Sequence, residues 1–211
     1  MKLPISICVI TKDEERHLGG CLGSVKDHVD EIVVLDSRST DRTQEIARGV
    51  PPHVHAQPFR DFSSQKNRCV DLASHDWVLV LDADERIPEE AWPRIASALR
   101  KAHRNGTVAL AIPRKTRFVD GRFHRWVAYW PNFQWRLFDR RCCRYVGRVH
   151  ESLQVRGRRG SVPAEFIHDP DRPLEEFLLK AGLYRKLKEA ERADPSVPTR
   201  SCRDRVATKL R

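Results

Sequence analysis

Glycine is scarce in this chain, methionine occurs once, and no long apolar run is present in its 211 residues. Ten glycines without a three-residue period exclude a collagen-like or glycine-rich low-complexity protein. A helix that crosses a bilayer needs roughly 20 consecutive apolar residues. None is found, and the opening Met1-Lys2-Leu3-Pro4-Ile5 lacks the apolar centre of a secretory signal, so a cytoplasmic location is expected. The six cysteines (Cys8, Cys21, Cys69, Cys142, Cys143, Cys202) never form a C-x-x-C pair. That removes the common zinc-ribbon and dithiol patterns and leaves reduced, structural thiols as the expectation.

What is present suits a globular domain. A hydrophobic fraction of 40% over this length is enough for one buried core, and residues 1–193 are expected to form a single domain with a frayed basic tail over 194–211. The formal net charge is +10, with the arginine excess concentrated after Arg114. Such a charge concentrates anions of any kind, whether nucleic acid, nucleotide sugars or an acidic membrane surface, and does not choose among them.

Strand and helix signals alternate through the first half. Apolar, β-rich runs over 5–10, 32–35 and 77–81 each end in polar or acidic residues, and a shorter strand is centred on Val54. Continuous apolar runs of this kind fit strands covered on both faces. Helical patterns follow over 62–73 and 91–102, the second behind Pro88-Glu89-Glu90. Asp41 with Gln44 has the form of an N-cap and its reciprocal partner, opening a helix through Arg48. The alternation predicts an α/β fold, Rossmann-like, with a mostly parallel central sheet flanked by helices over 1–106. From Val108 the texture changes to strand pieces rich in aromatic and basic residues (Phe118, Trp126, Tyr129, Trp130, Phe133, Trp135), with strand-like stretches over 146–155 and 165–168. We read 107–172 as a smaller mixed half that meets a second substrate, and 173–193 as a C-terminal amphipathic helix.

In open α/β sheets ligands bind outside the carboxyl ends of the strands, and three such ends carry acids: Asp13/Glu14, Asp36, and Asp82 with Asp84. These are expected to converge on one rim. Asp82-Ala83-Asp84 after a buried strand can offer hard oxygen ligands to Mg²⁺ or Mn²⁺ on a diphosphate; capping of the following helix is the plain alternative.

Three stretches carry a resemblance: Ile5-Ser6-Ile7-Cys8-Val9-Ile10-Thr11-Lys12-Asp13-Glu14-Glu15, then Glu31-Ile32-Val33-Val34-Leu35-Asp36-Ser37-Arg38-Ser39-Thr40-Asp41, and Trp77-Val78-Leu79-Val80-Leu81-Asp82-Ala83-Asp84-Glu85. They look like the nucleotide-binding signatures of family 2 glycosyltransferases, enzymes of the GT-A fold. A fourth, Gln134-Trp135-Arg136-Leu137-Phe138 with Val149-His150-Glu151, is similar to the bacterial lipopolysaccharide core glucosyltransferase subgroup. The family usually has Gly-Ser-Thr-Asp where this chain has Arg38-Ser39-Thr40-Asp41, and Asn at the place of Asp13.

The resemblance implies that Thr11, Glu14 and Asp36 hold base and ribose, that Lys66 lies near the pyrimidine or diphosphate, that Asp82 faces the ribose and that Asp84 binds the metal. An exposed, solvated Lys66 is the ordinary alternative. Glu151 is the candidate general base for an inverting transfer, against a simple salt bridge with Arg148 or Arg156. His168 or His150 can complete the shell of a metal or diphosphate. Trp130 and Gln134 fall on the acceptor side, and Arg136 suits an acceptor phosphate. The expected donor is UDP-glucose, and the expected acceptor is lipid-linked or of lipopolysaccharide type. Basic residues of the last helix suggest contact with anionic membrane. A nucleic-acid module and a nucleotidyltransferase are the competing readings. The first lacks any recognised motif spacing, and the second lacks a glycine-rich loop after the first strand.

Overall fold

The computed structural model of the chain describes residues 2–49, 53–117, 132–148, 151–170 and 174–193. Trp126, Trp130, His150, Pro173 and the tail over 194–211 lie outside the described residues.

The first half runs β1 (Leu3–Thr11), α1 (Leu18–Gly23), β2 (Val29–Asp36), α2 (Thr43–Arg48), β3 (His53–Ala56), α3 (Phe62–Leu72) and β4 (Trp77–Asp82). The second half runs β5 (Glu85–Arg86), α4 (Trp92–Asn105), β6 (Thr107–Thr116), β7 (Asn132–Asp139), β8 (Cys143–Val146), β9 (Ser152–Val155), β10 (Arg158–Ser161), β11 (Phe166–His168) and α5 (Leu174–Ala193). One sheet takes the order β3-β2-β1-β4-β7-β6-β11-β5, with β10 also beside β6, and β8 and β9 pair separately. The β2–β1–β4 and β2–β3 pairings are parallel, and β7 enters antiparallel to both β4 and β6. This is the mixed α/β architecture with a mostly parallel centre that the alternation predicts.

Both faces of the centre are covered, which is why its strands are apolar throughout. Ile5, Ile7 and Val9 of β1 face a core shared with Leu18 and Leu22 of α1 and Ile95 and Leu99 of α4. Cys8 and Ile10 face the opposite core with Cys69 and Val70 of α3, Phe138 and Tyr145. Each such side chain contributes about 1.5–3 kcal/mol on burial. The described cysteines are free thiols, four of the five buried.

Two local expectations change. Helix α2 starts at Thr43, and Gln44 does not turn back to Asp41; its amide donates to Asp36 Oδ2 at 2.8 Å. Asp41 still serves the helix start, accepting from Thr43 N at 3.0 Å. The 146–155 stretch is not one strand. It holds the end of β8 and all of β9, which pair antiparallel, and the pair docks on α3, where the Asn67 side chain bonds both backbone groups of Tyr145.

The loops after β1 and β2 each hold a non-glycine residue at positive φ, Asp13 at 50° and Arg38 at 60°. They are the two positions at which the chain departs from the family pattern. Asp13 N–H donates to Ser39 Oγ at 2.8 Å, Thr40 N–H donates to Asp13 Oδ1 at 2.7 Å, and Lys12 Nζ donates to the Arg38 carbonyl at 2.6 Å. An aspartate visits this region at modest cost, whereas a long side chain carries about 1–2 kcal/mol of strain. Arg38→Gly is therefore expected to stabilise the fold by about 0.5–1 kcal/mol after the looser unfolded chain is allowed for. A urea melt reading equal or lower stability for the variant would show the strain is absent.

Candidate active site

The carboxyl ends of the three parallel strands lie side by side. Thr11 of β1 pairs with Asp36 of β2, and Ile10 pairs with Asp82 of β4. At the usual strand spacing, the Asp36 and Asp82 backbones are about 10 Å apart on one rim.

On the β1–β2 side the polar groups are uneven in their engagement. Thr11 is buried at 4% exposure, and its hydroxyl has no hydrogen-bond partner among the described residues. Glu14 holds His17 Nδ1 at 3.1 Å, and its backbone N–H donates to Thr43 Oγ1. Asp36 is fully buried, and its carboxylate accepts from the Ser39 backbone and hydroxyl and from Gln44. These bonds shape the 37–39 loop from beneath, beside the place where the expected base or ribose contact would be made.

Around β4 a network of charges forms, buried at Lys66, Glu85 and Arg136 and half-buried at Asp82. Lys66 is 2% exposed, which removes the solvated alternative, with Nζ 2.9 Å from Asp82 Oδ1 and 2.6 Å from Glu151 Oε1. Arg136 Nη2 lies 2.7 Å from Asp82 Oδ2 and 2.6 Å from Glu85 Oε1. The cause of that inward aim is a bulge in β7: Leu137 faces Leu110 and Trp135 faces Ala111, so Arg136 is the extra residue. A bulge re-aims a side chain in this way. Arg136, read as a partner for an acceptor phosphate, is thus held in the interior by two carboxylates.

The charges set one another's protonation. Burial acts to raise the Asp82 pKa, but Arg136 and Lys66 outweigh it and hold the carboxylate well below its ordinary range. Burial and Arg136 act to lower Lys66, yet Asp82 and Glu151 keep it raised and charged. Burial pushes the fully enclosed Glu85 up.

Glu151 comes to this cluster from the β8–β9 hairpin and pairs with Lys66, not with Arg148 or Arg156. Its Oε2 has no hydrogen bond among the described residues, so one oxygen is fixed and the other remains available to a proton donor.

Beyond β4, Asp84 is 6% exposed, and its Oδ2 is 3.7 Å from His168 Nε2. His168 arrives on β11, which pairs antiparallel with β5, and its Nδ1 is 3.3 Å from Thr116 Oγ1. A histidine tethered at one ring nitrogen presents the other to a metal. No group of three or more His, Cys, Asp or Glu suited to a metal occurs among the described residues. The Asp84 carboxylate fits Mg²⁺ or Mn²⁺ held partly by substrate phosphates and water, which need few protein ligands, and the imidazole beside it suits Mn²⁺ of the two.

Gln134 donates to Asn132 Oδ1 at 2.7 Å on β7. Arg159 stacks over Trp135 at 5.7 Å, so that indole packs within the protein. Trp130 and His150 lie outside the described residues. Sequence reasoning assigned no role to Glu85, Arg114 or Tyr184. Three acids within four residues at a strand end were the available signal for Glu85, since such a cluster calls for buried cations. Tyr184 of α5 stacks on Phe62 with centroids 5.3 Å apart, and burial raises its pKa to about 12, with Asp82 and Glu151 adding to the shift.

Comparison with known proteins places this geometry. A TPR repeat-containing protein of Synechococcus elongatus is 46% identical over 96 residues, covering 45% of this chain and 24% of its own length. An uncharacterized glycosyltransferase of Rickettsia felis is 40% identical over 86 residues, covering 41% of this chain and 30% of its own. The chain thus spans less than a third of these curated relatives. A mannosyltransferase of Pyrobaculum calidifontis, solved with GDP-Man and Mn²⁺, has a TM-score of 0.59 at 16% identity over 94% of this chain and 66% of its own, a likeness of fold. Residues 6–156 match the description "Glycosyl transferase family 2", and with well over half its length inside that match and a GT-A arrangement of the sheet, this chain belongs to that family.

Proposed function

We propose that this chain is the catalytic domain of an inverting, metal-dependent glycosyltransferase that moves a hexose, glucose in first place, from a nucleoside-diphosphate donor to a hydroxyl of a cell-envelope acceptor. The observation that carries the reading is the convergence of Thr11, Asp36 and Asp82 at adjacent carboxyl ends of parallel strands, with the Asp84–His168 pair one turn further on. Resemblance to the lipopolysaccharide core glucosyltransferases supports UDP-glucose as donor and a lipid-linked or lipopolysaccharide-type acceptor. In this reading residues 1–106 hold the donor, residues 107–172 receive the acceptor, and α5 closes the domain.

Thr11 offers its unpartnered hydroxyl to the nucleoside, with Glu14 beside it and Asp36 holding the 37–39 loop in shape. Asp82 is kept ionised and oriented by Lys66 and Arg136 and faces the ribose. Asp84 and His168 would hold the divalent cation, which supplies charge neutralisation for the departing nucleoside diphosphate. Glu151 takes the proton of the attacking hydroxyl at Oε2 while Lys66 fixes Oε1, a division that orients a general base. The exposed Arg185, Lys186 and Lys188 of α5 would favour an acceptor presented at an anionic surface.

Calorimetry with UDP and GDP, each with and without Mn²⁺, tests the reading on the wild type and Asp84→Ala. The wild type is expected to prefer UDP and to bind it at least about tenfold tighter with Mn²⁺, and the variant to lose that gain. Equal affinity of both proteins with the metal present would remove Asp84 from the metal site. Absence of any nucleotide binding by the wild type would remove the transferase reading itself.

A further inference from the structure

We infer that Arg114 is an oxyanion-binding residue on the acceptor side of the cleft, so that the acceptor carries a phosphate or carboxylate near the hydroxyl that is glycosylated. The inference rests on the transferase reading and adds the chemical class of the second substrate.

Among the described residues, four cations lie on β6, just after it or on β7, and three of them are neutralised. Arg136 is held by Asp82 and Glu85, Lys115 by Glu165 at 3.7 Å, and Arg117 by Asp169 at 3.4 Å. Arg114 differs. Its nearest carboxylate oxygen is Glu85 Oε1 at 3.9 Å, beyond hydrogen-bonding reach and already accepting from Arg136 at 2.6 Å. Its Nε is buried and without a partner among the described residues, as are those of Arg117 and Arg136, but those two have a carboxylate within 3.4 Å and 2.7 Å, whereas Arg114 has none closer than 3.9 Å and leaves a quarter of its side chain exposed. A buried donor left unsatisfied is costly, and a planar guanidinium in that state suits a bidentate oxyanion.

The backbone of Arg114 lies apart from the strands that hold the nucleotide, while its side chain reaches toward Glu85. The nucleotide side is built on β2, β1 and β4, whereas Arg114 lies on β6, with β7 between β6 and β4. Two strand spacings amount to about 10 Å. Thr116, two residues along the same strand and on the same side of it, touches His168, so a group held by Arg114 would lie next to the reacting end of the donor.

The probe is inorganic phosphate, titrated into the protein already saturated with UDP and Mg²⁺. The wild type is expected to bind it, and Arg114→Gln to bind it at least about tenfold more weakly while UDP affinity changes by less than about twofold. Arg114→Lys, which keeps the charge and loses the fork, should fall between them. Phosphate affinity unchanged in Arg114→Gln, or no phosphate binding by a wild type that binds UDP, overturns the assignment. A parallel loss of UDP affinity overturns it too, by moving Arg114 to the donor. If Arg114→Gln does not fold, Arg114→Lys decides: undiminished phosphate affinity refutes the inference. Failure of the wild type to bind UDP is separate and defeats the transferase reading.

Discussion

Glu151→Gln is expected to lower the turnover of UDP-glucose by about 10²–10⁴-fold while leaving UDP affinity in the presence of Mn²⁺ within about twofold of the wild type. The amide keeps the shape of the side chain and can still accept from Lys66, and Lys66 retains Asp82 at 2.9 Å, so no buried charge is orphaned. What disappears is the capacity of Oε2 to take a proton. Glu151→Asp gives a second reading of the same group: shortening by one methylene withdraws the carboxylate from its 2.6 Å contact with Lys66, and an intermediate loss of about 10²-fold is expected. Donor hydrolysis and transfer, followed by UDP release, measure both. Turnover by Glu151→Gln within about threefold of the wild type would leave Glu151 an ion-pair partner of Lys66, with the proton taken elsewhere.

The strand ends were legible in the sequence because a strand covered on both faces leaves a continuous apolar run, and its stopping point is marked by the first charged residue. Asp36, Asp82 and Asp84 were found in that way, and the sheet order then brought them to one rim. The state of those carboxylates was not legible. Asp36 is enclosed by Ser39 and Gln44, a consequence of how the 37–39 loop folds back under the Arg38 turn. Residue spacing cannot distinguish a carboxylate that meets a ligand from one that supports the loop meeting it.

The burial of Lys66 and of Arg136 was not legible in the sequence, for two different physical reasons. Lys66 lies on a helix whose inner face is otherwise defined by Cys69 and Val70, and a lysine among such positions reads as solvated. Its burial depends on two carboxylates supplied by β4 and by the β8–β9 hairpin, the latter brought by pairing of Asn67 with Tyr145. Arg136 lies on a strand whose alternation breaks at a bulge, and a bulge has no sequence mark here. Arg114, the cation inferred for the acceptor side, has no distinguishing neighbours in the sequence.

Arg136→Met should be the most damaging of these substitutions to the fold, at about 3–5 kcal/mol, because removing one partner of a buried ion pair leaves the other uncompensated. Methionine fills most of the volume, so the loss is chiefly electrostatic. Asp82 keeps Lys66, whereas Glu85, fully buried, keeps among the described residues only the backbone N–H of Asp82 and a guanidinium 3.9 Å away. In a chain of this length each kcal/mol corresponds to about 2–4 °C, so a fall in melting temperature of about 6–20 °C is expected. The pH dependence fixes the cause. Burial already raises the Glu85 pKa in the native protein, and without Arg136 it must rise further. Between the unfolded and the raised native pKa the native state binds more protons, so stability falls as pH rises through that window. The deficit of Arg136→Met should therefore narrow as the pH is brought down toward about 5, and Glu85→Gln in the same background should recover much of it at neutral pH. Urea denaturation across that range measures both effects, and a deficit that is independent of pH and untouched by Glu85→Gln would place its origin in packing and not in charge.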